Sequence, residues 1–229
     1  PGPVHIHVVE DALAAEASFR DAPASRPLPL SPDPADMAQA VGRLSRAQRP
    51  MMVLGGGAAA AGANVRTLAE RLHAPVLLTS SARGLMPRDH RLYAGGWLGA
   101  KPTRALLARA DLVLAIGTEL DPAEFADDET GATGLPQSED ALVRVDLDPE
   151  RLATPQAAVA IRADAARFVE MLVEALPQRN GAAPDLAQAR ARAAAAPPPR
   201  LAKHQALIDA VWDALPEAVL IGDVTGPAR

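Results

Sequence analysis

Apolar residues in the middle of this chain follow two alternating rhythms. One is the short unbroken run: "MMVL" at 51–54, "PVLLT" at 75–79, "DLVLAIG" at 111–117 and "LVRVDLDP" at 142–149, with a shorter run at 159–161. The other is the helical rhythm. Met37, Val41 and Leu44 share one helical face, as do Val65, Leu68 and Leu72, and so do Phe168, Leu172 and Leu176; 103–110 reads as a further short helix. Unbroken apolar runs separated by amphipathic helices are the pattern of a parallel sheet covered on both faces. Residues 34–177 therefore predict one doubly wound α/β domain of five to six strands, with strands near 51–54, 76–79, 112–116 and 142–146. Asp33 before Pro34 predicts a helix start, and Asp164 predicts another.

The flanks read differently. Val4, Ile6 and Val8 alternate with His5 and His7, the period-two pattern of a half-buried strand. "DAPASRPLPLSPDP" follows and reads as a linker, and "SSARGLMPRDHRLYAGGWLG" at 80–99 reads as an irregular segment. The low-complexity stretch 181–200 reads as a second linker in which a partial helix stays open, since alanine and arginine alone do not establish a packed one. Beyond it, Leu207, Ile208, Val211 and Leu215 suit an amphipathic helix, and 218–221 starts a strand that has no sheet to join. Both ends read as cut from something longer.

Composition narrows the function. The chain has 229 residues, 48% of them hydrophobic but only 3% aromatic, so an aliphatic core is expected. A net charge of −5 argues against a nucleic-acid partner, which would need a basic face. With no cysteine, disulfides, thiolate metal sites and cysteine nucleophiles are excluded. No apolar run approaches the roughly 20 residues of a membrane span, and no signal peptide is visible, so no membrane partner and a cytoplasmic location are expected.

The chemistry-bearing motifs each have two readings. Gly55, Gly56 and Gly57, with Ala60, fit G-x-G-x-x-[GA] at a turn from the 51–54 strand into what reads as an alanine-rich helix. Such a turn can bring backbone amides to a pyrophosphate, or it can simply let strand and helix pack closely. The acid that a dinucleotide site wants about 20 residues later is missing, since 79–81 is Thr-Ser-Ser. Asp146 and Asp148 end a strand where a ribose could be held, yet Asp148 before Pro149 is also an ordinary helix start. Gly117 and Thr118 could line the same crevice. His5 and His7 resemble a metal pair without a third ligand, and Asp127, Asp128 and Glu129 lack the spacing of a calcium loop. Ser80 and Ser81 lack a nucleophile-elbow frame. His73, His90 and His204 show no partner in the sequence.

Taken together, these stretches resemble the thiamine-diphosphate (ThDP) enzymes of the acetolactate synthase type. "GPVHIHV" is similar to the end of their pyrimidine-binding domain. "RPMMVLGGGA", "APVLLTSSARGLMPRDHRLYAGG", "ADLVLAIGTEL" and "RVDLDPERL" are similar, in order, to their central domain, and "LPEAVLIGDVTGPA" to the opening strand of their diphosphate-binding domain. Within the family, "PTRALLARADLVLAIGTEL" looks closest to the 5-guanidino-2-oxopentanoate decarboxylase branch. The resemblance implies a Rossmann-like central domain at 34–178. It also implies the end of a pyrimidine-binding domain and a linker at 1–33, a linker at 179–200, and the start of a diphosphate-binding domain at 201–229. It implies ThDP and Mg²⁺ as cofactors of the parent enzyme, a 2-oxo acid substrate, and a homodimer or homotetramer. In some members the central domain holds FAD or ADP. Flavin-binding members usually carry an Arg-Phe-Asp-Asp-Arg run where this chain has "GTELDPAEFADDET", so an unoccupied, structural glycine turn is expected. The family's catalytic glutamate and metal motif fall outside the matched stretches, so no catalytic or metal-binding residue is expected here. Thr225 and Gly226 correspond to a loop that approaches the cofactor diphosphate. The alternatives are a free-standing FAD, ADP or NAD module and a purely structural domain.

Overall fold

The computed structural model describes residues 4–18, 28–96, 98–125, 134–136, 138–195 and 199–218. Its centre is a sheet of six strands: β1 (Pro50–Leu54), β2 (Val76–Leu78), β3 (Tyr93–Gly95), β4 (Leu112–Ile116), β5 (Leu142–Asp146) and β6 (Val159–Arg162). All are parallel, in the order β3-β2-β1-β4-β5-β6. The expected doubly wound α/β sheet is thus present. The direction of winding reverses between β1 and β4, which pair over their full lengths from Pro50↔Leu112 to Leu54↔Ile116.

The unbroken apolar runs are explained by burial on both faces. Met52, Leu54, Leu114, Ile116, Val143 and Val145 point into one core layer, with helices α2 (Pro34–Arg46), α3 (Ala63–Leu72) and α7 (Ala165–Ala175). Met51, Val53, Leu77, Val113 and Ala115 point into the other, which Leu107 of α4 (Lys101–Leu107), Phe125 and Leu186 complete. Each fully buried leucine or phenylalanine here contributes about 1.5–3 kcal/mol relative to exposure. The sequence signals for helix starts are realised. Asp33 accepts from the Ala35 amide at 2.8 Å, and Asp164 accepts from the Ala166 and Arg167 amides at 3.0 and 3.1 Å. The Asp164 amide in turn donates to Leu30 O at 2.8 Å, which pins the chain before α2 to the start of α7.

Three expectations change. Residues 4–9 form no strand. Val4 and Ile6 are 82% and 76% exposed, and a short helix, α1 (Glu10–Ala14), follows. An alternating pattern becomes a strand only against a partner, and no strand among the described residues pairs with it. The segment at 80–99 is not wholly irregular, because it contains β3, the sheet's edge strand, whose Tyr-Ala-Gly lacks the unbroken aliphatic run that marks β2. The alanine run after the glycines is not an α-helix. Gly56–Ala61 winds as a 3₁₀ turn, Gly62 breaks it at φ +48°, and α3 starts at Ala63. In the second linker stretch the helix left open by the sequence forms as α8 (Ala187–Ala195), which packs on α4 and β3 behind the buried Leu186.

Helix α9 (Pro199–Ala214) forms where helical spacing placed it, but Leu207 and the following Leu215 are 57% and 59% exposed. Trp212 is exposed as well, while Ile208 and Val211 are half-buried. The strand expected at 218–221 lies outside the described residues except for Ala218.

Candidate functional site

In open α/β sheets ligands bind outside the carboxyl ends of the strands, at the switch point. Here that point lies between β1 and β4, and the glycine turn occupies it. The Gly55 amide donates to Ile116 O at 2.9 Å, continuing the β1–β4 ladder past the strand ends. The Gly57 amide donates to Gly117 O at 3.0 Å, the Ala58 amide to Gly55 O at 3.0 Å, and the Gly117 amide to Val145 O at 2.8 Å. The ends of β1, β4 and β5 are therefore tied through one residue, Gly117, whose φ of +58° a glycine adopts without strain.

The glycines are required by backbone contact. A Cβ on Gly55 would lie 2.1 Å from Gly117 O and 2.6 Å from Thr118 Cα; one on Gly57 would lie 2.8 Å from Gly117 Cα. A Cβ on Gly56 would come within 3.0 Å of Ser81 Cβ. The bare Cα atoms face the protein's own chain. Three amides of the turn are already spent on internal carbonyls, and the α-helix that would lend its dipole to an anion begins only at Ala63.

Loops from neighbouring strands complete this edge. Thr118 Oγ1 accepts from the Leu120 amide at 3.1 Å and stabilises a turn in which Leu120 adopts φ +54°. Glu124, on the short helix α5 (Pro122–Phe125), accepts from Ser80 Oγ at 2.8 Å. Ser80 follows β2 and Glu124 follows β4, so this bond reaches across the end of β1 between them. Asp146 is the last residue of β5 and Asp148 follows it, with β4 between them and the glycine turn. Asp146 Oδ1 accepts from the Asp148 amide, and Asp148 Oδ1 from the Glu150 amide, each at 2.9 Å; Asp148 is the N-cap of α6 (Pro149–Ala153). The structure thus brings Gly55, Gly57, Gly117 and Thr118 into direct contact and places the two aspartates one strand further on. Thr225 and Gly226 lie outside the described residues, as do Asp127, Asp128 and Glu129.

Arg144 is the functional-looking group that sequence reasoning passed over. It is 1% exposed, in the middle of β5. Its guanidinium donates to Thr154 O at 2.5 Å and Pro155 O at 3.2 Å, and to Thr118 O and Glu119 O at 3.2 and 3.4 Å. Burial pulls its pKa below the ordinary arginine value, and the Asp146 carboxylate pulls it back up. The signal was visible in "LVRVD", where a single charge interrupts a buried run. Such a charge needs several fixed acceptors, and four loop carbonyls supply them.

The thiamine pyrophosphate enzyme central-domain model matches residues 37–172, well over half of the chain. The chain belongs to this family. It is 40% identical over 98% of its length to the probable 2-ketoarginine decarboxylase AruI of Pseudomonas aeruginosa, of which it covers 41%. It is 33% identical over 78% of its length to the acetolactate synthase isozyme 1 large subunit of Escherichia coli, of which it covers 32%. Among solved structures, a putative thiamin diphosphate-dependent enzyme from Mycobacterium smegmatis superposes with a TM-score of 0.59 at 27% identity, covering 75% of this chain and 32% of that one. The chain therefore spans about two fifths or less of the length of these relatives. The ThDP-enzyme central domain, of decarboxylase and acetolactate synthase-like type, is what these residues fold into.

Within that family assignment, the remaining sequence candidates are resolved as follows. His90 has partners after all: its ring contacts Glu70 Oε1 at 3.1 Å and accepts from the Leu92 amide at 3.2 Å. His5 and His7 have ring centroids 6.4 Å apart on an exposed segment. No group of three or more metal-ligating side chains occurs among the described residues. No helix among them is long and apolar enough to cross a membrane.

Proposed function

We propose that this chain is the scaffolding central layer of a ThDP-dependent 2-oxo acid decarboxylase or acetolactate synthase-like enzyme, and that it does not decarboxylate by itself. One observation carries the reading. The switch-point turn, where a central-domain nucleotide would lie, is packed against the protein's own backbone at Gly117 and Thr118. FAD and ADP do not fit that arrangement, because the turn presents neither open glycine faces nor unspent amides at Gly55, Gly57 and Ala58.

In this reading residues 34–178 are the central domain. Residues 1–33 close a pyrimidine-binding domain, 179–200 link onward, and 201–229 open a diphosphate-binding domain, with Thr225 and Gly226 toward the cofactor diphosphate. In this reading ThDP, Mg²⁺ and the 2-oxo acid belong to parts of the enzyme beyond this layer. The parent is a cytoplasmic homodimer or homotetramer. The relative named for 2-ketoarginine, which is 5-guanidino-2-oxopentanoate, supports that acid as the first substrate to try.

The test combines two measurements on the purified 229-residue chain. Thermal unfolding with saturating ADP or FAD should leave the midpoint unchanged. CO₂ release from 5-guanidino-2-oxopentanoate with ThDP and Mg²⁺ should match the cofactor-only control. A nucleotide-induced rise in midpoint would favour the nucleotide-module alternative, and turnover would overturn the scaffold reading.

A further inference from the structure

The opposite edge of the sheet is built differently. A cleft of about 450 Å³ opens at the amino ends of β1 and β2, within the size range of small-molecule sites. Its charged wall is Arg49, Arg109 and Arg179, with His73 beside them, and its apolar floor includes Met51 and Leu106. No acidic side chain lines it. No carboxylate among the described residues forms an ion pair with any of the three arginines.

A structural role accounts for part of this wall. Parallel sheets gather helix C-termini at this edge, and their unpaired carbonyls attract cations. Arg179 donates to Ala47 O after α2 and to Leu72 O at the end of α3, and Arg49 Nε donates to Arg109 O beyond α4 at 2.7 Å. The charge balance shows what is left over. Three guanidinium charges face three helix ends worth roughly half a negative charge each. The Asp111 carboxylate behind the wall accepts from the Gln48 and Arg49 amides at 2.6 and 2.9 Å. Counted in full, it still leaves a positive remainder. The Arg109 guanidinium makes no hydrogen bond or ion pair with the described residues.

We infer that this cleft binds a small organic anion, with an acidic head held by Arg49 and Arg109 and an apolar body lying on Met51 and Leu106. The site is independent of the glycine turn and stands whether or not the scaffold reading does. Guanidinium forks match carboxylate and phosphate oxygens in pairs, and the floor favours a ligand larger than the bare ion.

Phenyl phosphate, inorganic phosphate and sodium chloride, titrated at constant ionic strength into the full ¹⁵N-labelled chain, test this by NMR. The expected result is saturable shifts of the Gln48, His73 and Arg109 amides with phenyl phosphate, weaker shifts with phosphate and none with chloride. Arg109→Gln, a change at an exposed side chain without internal partners, should weaken phenyl phosphate binding by on the order of tenfold and leave the unfolding midpoint unchanged. Arg49→Gln should give a similar loss. Equal responses to all three salts, undiminished affinity in both variants, or shifts centred on Gly55–Gly57 would each overturn the proposal.

Discussion

The two edges of the sheet are made from similar pieces and end up opposite in character. At the carboxyl edge, Gly55, Gly57 and Gly117 interlock, amides meet carbonyls across three strand ends, and Glu124 reaches over to Ser80. At the amino edge, proline, arginine and helix C-termini leave a cleft of about 450 Å³. The difference teaches that a fold's usual ligand edge is a matter of backbone clearance. When the turn that would cradle a phosphate is drawn onto the neighbouring strand end, the same glycines become packing residues.

The contrast breaks most visibly at Gly55. Gly55→Ala should destabilise the chain by about 4 kcal/mol or prevent folding, because its Cβ meets backbone that cannot move aside. Gly62→Ala is the matched control. Its Cβ has open space, and the cost is only that of its backbone at φ +48° and ψ −125°, so about 1–3 kcal/mol is expected. Urea unfolding of both variants measures the gap. Equal losses would mean that the turn is not interlocked.

Arg144→Met comes next. It leaves the carbonyls of Thr118, Glu119, Thr154 and Pro155 without their shared donor, at an expected cost of roughly 2–4 kcal/mol. Hydrogen exchange should rise in the loops at 118–120 and 153–156 before it rises in β1. Uniform exchange would show that Arg144 does not organise that edge specifically.

The smallest effect is expected across the sheet, at Asp111→Ala. It removes the acceptor of the Gln48 and Arg49 amides. The loss should be about 1 kcal/mol, because both amides are near solvent and water can replace the carboxylate. If the carboxyl edge is the rigid one, this change should loosen residues 47–50 without altering exchange at Gly55–Gly57.

Much of the sheet was legible because burial on both faces imposes a local signature. Val53, Leu114 and Val143 sit in apolar runs, and Asp33 and Asp164 mark helix starts that the structure realises. β3 was not legible, since Tyr-Ala-Gly at a half-covered sheet edge carries no aliphatic run like the Val-Leu-Leu of β2. Arg144 was legible only as an anomaly, a charge inside an apolar strand. The alternation at Val4, Ile6 and Val8 was legible but insufficient, because a strand also needs a neighbour.

The amino-acid sequence by itself determined the alternation of strands and helices, the aliphatic core and the absence of cysteine chemistry. Each of these depends on composition or on spacing within a few residues. Tertiary structure alone decided whether the glycines face a ligand or the chain, which carbonyls Arg144 serves, and where three arginines from distant segments converge. Each of those outcomes depends on distances between separate elements, such as the 26 positions from Arg144 to Thr118, and only the closed sheet sets them.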